Sequence, residues 1–202
     1  MNSVQDKTAS IHVRIVATAL SIALGSVGAS GQANRSAKEQ KASRMLDGKQ
    51  WTTDNLNVNT SPSYCYDDAE QNCRRYGRLY TWESAQRGCR SLGDGWRLPT
   101  DDEWRQMTKR YGGVSSDSDD KGNAAYKALS SGGSTGFNAV LGGLRSPDGE
   151  YSRLDAHGLY WTASESGPST ALFYNFGKGG LALHRGSAGE KQRAFSVRCV
   201  RD

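Results

Sequence analysis

Gly95-Trp96-Arg97-Leu98-Pro99-Thr100-Asp101-Asp102-Glu103-Trp104 is the most legible stretch of this chain. Thr100 and Glu103 have the spacing of a capping box: the Thr hydroxyl can accept from the Glu103 amide while the Glu carboxylate reaches back. Asp101 and Asp102 favour the positive end of the helix dipole. The helix that starts here is predicted to run to about Tyr111 and to stop at Gly112-Gly113. Upstream, Tyr76-Gly77-Arg78-Leu79-Tyr80 reads as a short strand, and Thr81 caps a short helix over 82–89. Downstream, a weaker helical stretch covers 123–129, and 137–144 reads as a buried strand or loop. The segments 159–162, 171–176, 181–185 and 194–201 read as strands. The last alternates cleanly, with Phe195, Val197 and Cys199 on one face and Ser196 and Arg198 on the other. Near the front, Asp47-Gly48 between apolar residues predicts a hairpin turn with positive φ at both central residues, and structure is expected to begin at Met45. Helices in the middle and strands at both ends imply an α+β domain. Two short helices should pack on small antiparallel sheets, with the termini adjacent in one of them.

Composition narrows the class. The 202 residues include 24 Gly and 4 Pro, with 9% aromatic side chains, too aromatic for a disordered chain and too Gly-rich for a helical bundle. No apolar run approaches the roughly 20 residues of a transmembrane helix, which excludes a polytopic membrane protein. Residues 1–33 read as a secretory signal: Lys7 and Arg14 lead, 15–24 is apolar, and Ala29, Gly31 and Ala33 supply small residues for cleavage. That segment has no cysteine for a lipid anchor and no Arg-Arg pair for twin-arginine export. Residues 34–44 read as a basic polar linker (Arg35, Lys38, Lys41, Arg44), and the domain proper as 45–202. The formal charge of +5 is mild and not gathered into a phosphate-binding stripe, so no nucleic-acid partner is expected. The chain is expected in the periplasm, at the cell surface or outside the cell, with no stable membrane insertion after signal cleavage.

Four cysteines in an exported chain imply two disulfides, out of three possible connectivities. Their spacing is not that of a zinc site. Cys65 and Cys73 are close enough to clip one loop, which leaves Cys89 with Cys199 across almost the whole domain.

A larger pattern runs through the chain. Asp47-Gly48-Lys49-Gln50-Trp51, Asn55-Leu56-Asn57, Tyr76-Gly77-Arg78-Leu79-Tyr80-Thr81-Trp82, Gly95-Trp96-Arg97-Leu98-Pro99-Thr100, Gly136-Phe137-Asn138-Ala139, Tyr160-Trp161-Thr162 and Phe195-Ser196-Val197-Arg198-Cys199-Val200 follow one another in order. Together, over about residues 46–202, they resemble the Fibrobacter succinogenes major paralogous domain, a family of exported bacterial proteins. That family is similar to the C-type lectin-like fold, on the branch that includes formylglycine-generating enzymes and the variable proteins of diversity-generating retroelements. The resemblance implies the fold; it implies no settled activity.

The resemblance implies that oxidase chemistry would need a cysteine pair shortly before the terminal strand, and 160–197 contains none. Glu83, Asp101, Asp102, Glu103 and Glu165 offer carboxylates, and Ser164 or Ser166 with His157 or His184 could mimic a nucleophile and base, but no GxSxG-type motif accompanies them. Asp101 to Glu103 are more simply helix-start residues. The acidic loop Asp117-Ser118-Asp119-Asp120-Lys121-Gly122 places Lys121 where a third oxygen ligand would sit. The expectation is therefore no catalytic residue, no metal and no cofactor, a structural calcium held by backbone carbonyls being the one reading left open. The five tryptophans are expected in the core.

What remains is the Gly-, Ser- and Tyr-rich stretch from Ser164 to Arg193, the kind of composition that serves recognition. Tyr174, Asn175, Lys178, His184 and Arg185 are the candidate ligand contacts. The expected function is a non-catalytic module that binds an extracellular protein or glycan. A divergent enzyme of the formylglycine-generating type and a retroelement-diversified receptor are the alternatives.

Overall fold

The structure, a computed structural model, describes residues 40–202. The expected signal, 1–33, and most of the expected linker lie outside the described residues. The chain is a mixed α+β domain with four helices and ten strands among those residues.

The front of the domain is a hairpin, β1 (Ala42–Arg44) and β2 (Gln50–Thr52), paired antiparallel. Structure thus starts inside the segment expected to be linker. Ala42 to Arg44 are fully exposed and carry no apolar signal; they become a strand only because β2 offers them an edge. At the turn between them only Gly48 has positive φ, at 86°. The Gly48 amide donates to the Met45 carbonyl and the Met45 amide to that of Lys49. Asp47 instead caps the Lys49 amide and the Trp51 indole N–H.

A two-stranded pair, β3 (Ser63–Tyr64) with β4 (Leu79–Tyr80), brackets α1 (Glu70–Tyr76). Helix α1 was not expected. Its seven residues bury only Cys73 and Tyr76, too few to leave a periodic signal, and the Cys65–Cys73 disulfide ties it to the turn before it. Then come α2 (Trp82–Arg90), α3 (Asp101–Lys109) and α4 (Asn123–Leu129). The capping box of α3 forms in both directions, as its spacing required. Helix α3 ends before Tyr111, because 110–113 tighten into turns closed by Arg110, Tyr111 and Gly113 amides.

The last third is a five-stranded sheet in the order β6-β5-β7-β8-β9, from β5 (Gly142–Arg145), β6 (Tyr151–Leu154), β7 (His157–Gly167), β8 (Thr170–Gly177) and β9 (Ala182–Glu190). All pairs are antiparallel except β5 with β7, which is parallel and so departs from the all-antiparallel expectation. Bulges shift the register within β7–β8 and β8–β9. Two glycines of β9 explain the close packing there. A Cβ on Gly186 would lie 2.3 Å from the Phe173 ring, and one on Gly189 would lie 2.6 Å from Trp161.

The segment expected as one final strand is only partly so. Ala194, Phe195 and Ser196 make single bridges to Arg145, Tyr80 and Tyr160, and β10 (Val200–Arg201) alone joins β2. The domain thus closes front strand against last strand, as expected for adjacent termini. The alternation over 195–199 persists, yet both sides are buried because the segment runs between two cores. One core holds Trp51, Trp104, Phe137, Tyr160, Tyr174 and Phe176. The other holds Leu56, Tyr80, Trp82, Trp96, Trp161, Phe195, Val197 and the Cys89–Cys199 pair. All five tryptophans are buried. Arg198 is fully buried as well. Its guanidinium donates to Asn55 Oδ1 and to the carbonyls of Thr52, Phe137 and Asn138, at 2.7–2.9 Å.

Candidate functional site

Strand register sorts the five expected ligand contacts into two groups. Tyr174 lies opposite Arg185, and Asn175 opposite His184. Successive residues on a strand point to opposite faces, so these two pairs cannot serve one surface.

Tyr174 and Arg185 share one face, where Tyr174 turns inward, unlike a ligand contact, and Arg185 stays exposed with its guanidinium folded back onto α3. Tyr174 is fully buried and its ring stacks on Trp104, centroids 4.8 Å apart. Its hydroxyl donates to the Asp101 carboxylate (3.2 Å). Burial, and then the Asp101 charge, push that hydroxyl well above the usual tyrosine range. Arg185 grips the same carboxylate with two parallel bonds, 2.7 and 2.8 Å, and this pairing raises its pKa further. A buried carboxylate at the first turn of α3 is thereby neutralised, and the helix is locked to the sheet. Tyr174 is spent on architecture, and Arg185 holds the helix from the exposed side of the same carboxylate. Ser164, a candidate nucleophile by residue type, accepts the Asp101 backbone N–H (3.0 Å) and so caps the same helix.

Asn175 and His184 share the other face. Asn175 Oδ1 lies 3.0 Å from His157 Nδ1, so His157, Asn175 and His184 form a polar row across β7, β8 and β9. Lys178 is exposed at the turn that follows β8. His184 Nδ1 meets Ser115 Oγ at 2.7 Å, beside the Ser115 amide that donates to the Leu183 carbonyl on the sheet edge. This is a serine–histidine contact, but among the described residues no carboxylate orients the ring from its other nitrogen, as a nucleophile–base pair requires.

The acidic loop has local duties. Asp117 accepts from Arg105 (3.1 Å), and Asp120 accepts from the Gly122 and Ala124 amides (3.0 and 2.7 Å), fixing the start of α4. Hydrogen bonding from Ala124, foremost, lowers the Asp120 pKa. Cys65, Cys73 and Glu70 converge, but the two sulfurs are joined to each other as a disulfide rather than standing as thiolates. All four cysteines are paired, Cys65 with Cys73 and Cys89 with Cys199, as expected.

A second feature was not anticipated. Between α2 and α3 lies an open cleft of about 570 Å³ whose apolar lining is Leu98 and Ala163. Gln86 and Arg90 line it from α2, Glu103 and Gln106 from α3, and Lys49 and Arg97 close its end. Burial alone would raise the Glu103 pKa. The paired bonds from Arg97 (2.6 and 2.7 Å), the Thr100 amide and the Lys49 ammonium 3.4 Å away outweigh it and hold the carboxyl at about 2. Lys49 and Arg97 also pair with Asp202. Gln86, Arg90 and Gln106 have no side-chain partner among the described residues. The signal for them was present: Gln86 and Arg90 stand four apart, and Glu103 and Gln106 three apart, each pair on one helix face.

These features define a disulfide-stapled α+β domain with a polar row on its late sheet and a separate polar cleft. No helix among the described residues is long and apolar enough to cross a membrane, and two disulfides fit an oxidising compartment. The chain belongs to the Fibrobacter succinogenes major domain family, whose model matches residues 34–201. The match reaches back beyond Met45, in keeping with the front strand at Ala42. No curated protein and no solved structure matches the chain.

Proposed function

We propose that this chain is an exported, non-catalytic binding module of the C-type lectin-like kind, presenting its late sheet to a protein or glycan outside the cytosol. The observation that carries this is the row His157, Asn175 and His184, set across three hydrogen-bonded strands. Polar side chains on paired strands lose little freedom when they meet a ligand, which favours recognition. With every cysteine in a disulfide, the thiolate that oxidase chemistry of the formylglycine-generating type needs has no source in the chain.

The test is to probe printed glycans and secreted proteins with the wild-type chain and with the Asn175→Ala/His184→Ala double variant. A ligand held at least roughly tenfold more weakly by the double variant is the expected result. Equal retention would refute the sheet face as the site, and reproducible turnover of a bound ligand would refute the non-catalytic assignment.

A further inference from the structure

The α2–α3 cleft lies apart from the sheet row, and its chemistry is of one kind. Three cations, Lys49, Arg90 and Arg97, surround a space in which Glu103 is the lining carboxylate. Glu103 is saturated: it accepts both Arg97 bonds, the Thr100 amide and the Thr100 hydroxyl. The cleft therefore already holds one carboxylate by bidentate guanidinium contact, and it keeps a second guanidinium, Arg90, without a partner among the described residues. Arginine's planar fork matches a carboxylate. Gln86 and Gln106 each offer both a donor and an acceptor, a set that suits sugar hydroxyls, which also give and take. Leu98 and Ala163 supply a small apolar lining rather than an aromatic platform for a base. At about 570 Å³ the volume falls within the usual range for small-ligand sites.

We propose that this cleft binds a carboxylate-bearing saccharide, the acid on Arg90 and the ring hydroxyls on Gln86 and Gln106. Asp202, salt-bridged to the lining cations Lys49 and Arg97, partly neutralises them and opposes the incoming acid by charge. The site goes beyond the sheet-face function above and uses none of its residues, so either can fail alone.

The experiment titrates the purified, oxidised full chain with trigalacturonate, with neutral galactotriose and with inorganic phosphate. Trigalacturonate should bind at least roughly tenfold more tightly than galactotriose, and Arg90→Ala should abolish that margin. Asp202→Asn should strengthen binding a few-fold by removing the competing charge, and Asn175→Ala/His184→Ala should leave it unchanged. Arg90 is exposed and unpartnered, so its variant should melt like the wild type, and Arg90→Glu gives a second, charge-reversed check. The proposal is overturned if folded wild type ignores trigalacturonate, if galactotriose binds equally well, if folded Arg90→Ala keeps full affinity, or if phosphate displaces the saccharide at equal concentration.

Discussion

Removing the Cys89–Cys199 disulfide is the perturbation whose size follows most directly from the structure. The bond spans 110 residues and the Cys65–Cys73 bond spans 8. In the chain-entropy relation the long crosslink is worth about 4.8 kcal/mol and the short one about 2.5 kcal/mol. Both sulfurs of the long bond are fully buried in the second core, so replacing them with alanines also costs packing, on the order of 1 kcal/mol. For a domain of this size each kcal/mol lowers Tm by about 2–4 °C. Cys89→Ala/Cys199→Ala should therefore melt about 12–23 °C lower than wild type, and Cys65→Ala/Cys73→Ala about 5–10 °C lower. Scanning calorimetry on both double variants, with thiol titration of the denatured wild type as a control for full oxidation, makes the comparison. Equal shifts, or a larger shift for the short clip, would refute the assignment of the long bond as the main staple.

Three further outcomes are expected. Arg198→Met should cost at least about 3 kcal/mol in chemical denaturation, because three backbone carbonyls and the Asn55 amide oxygen lose a buried donor; a loss under about 1 kcal/mol would contradict that role. Arg185→Ala should destabilise by about 2 kcal/mol, since it strands the buried Asp101 carboxylate, whereas His184→Ala on the next residue should stay within about 0.5 kcal/mol. Glu103→Gln keeps the capping geometry and loses the charge. The folded pKa of Glu103 lies below its ordinary value, so its contribution is present above about pH 4.5 and is lost as pH falls toward about 2. The gap between wild type and Glu103→Gln, on the order of 2 kcal/mol at pH 7, should close across that window; a gap independent of pH would exclude the ion pair as its source.

Local chemistry carried much of the fold. The Thr100–Glu103 spacing is self-contained, since both partners of a capping box lie within one turn, and the helix formed as written. The tryptophans and the late strands were likewise legible from size and periodicity. The site was less so. Tyr174 and Arg185 have the composition of a recognition surface, and nothing within their own strands reveals that Asp101, 84 residues before Arg185, waits beneath them. Helix α1 and the front strand left no signal because each is held by a partner, a disulfide in one case and an adjacent strand edge in the other, rather than by its own pattern.

By itself the sequence determined the α+β class, the even cysteine set, the buried aromatics and the family, because these depend on residue type and near-neighbour spacing. The tertiary structure alone decided which face each polar side chain meets. It put Asn175 and His184 on one face of the late sheet and Tyr174 and Arg185 on the other, buried Tyr174 under α3 and Arg198 among carbonyls, and opened a cationic cleft between two helices. Those outcomes rest on strand register and on contacts between distant segments, and a one-residue change of register reverses every one of the strand assignments.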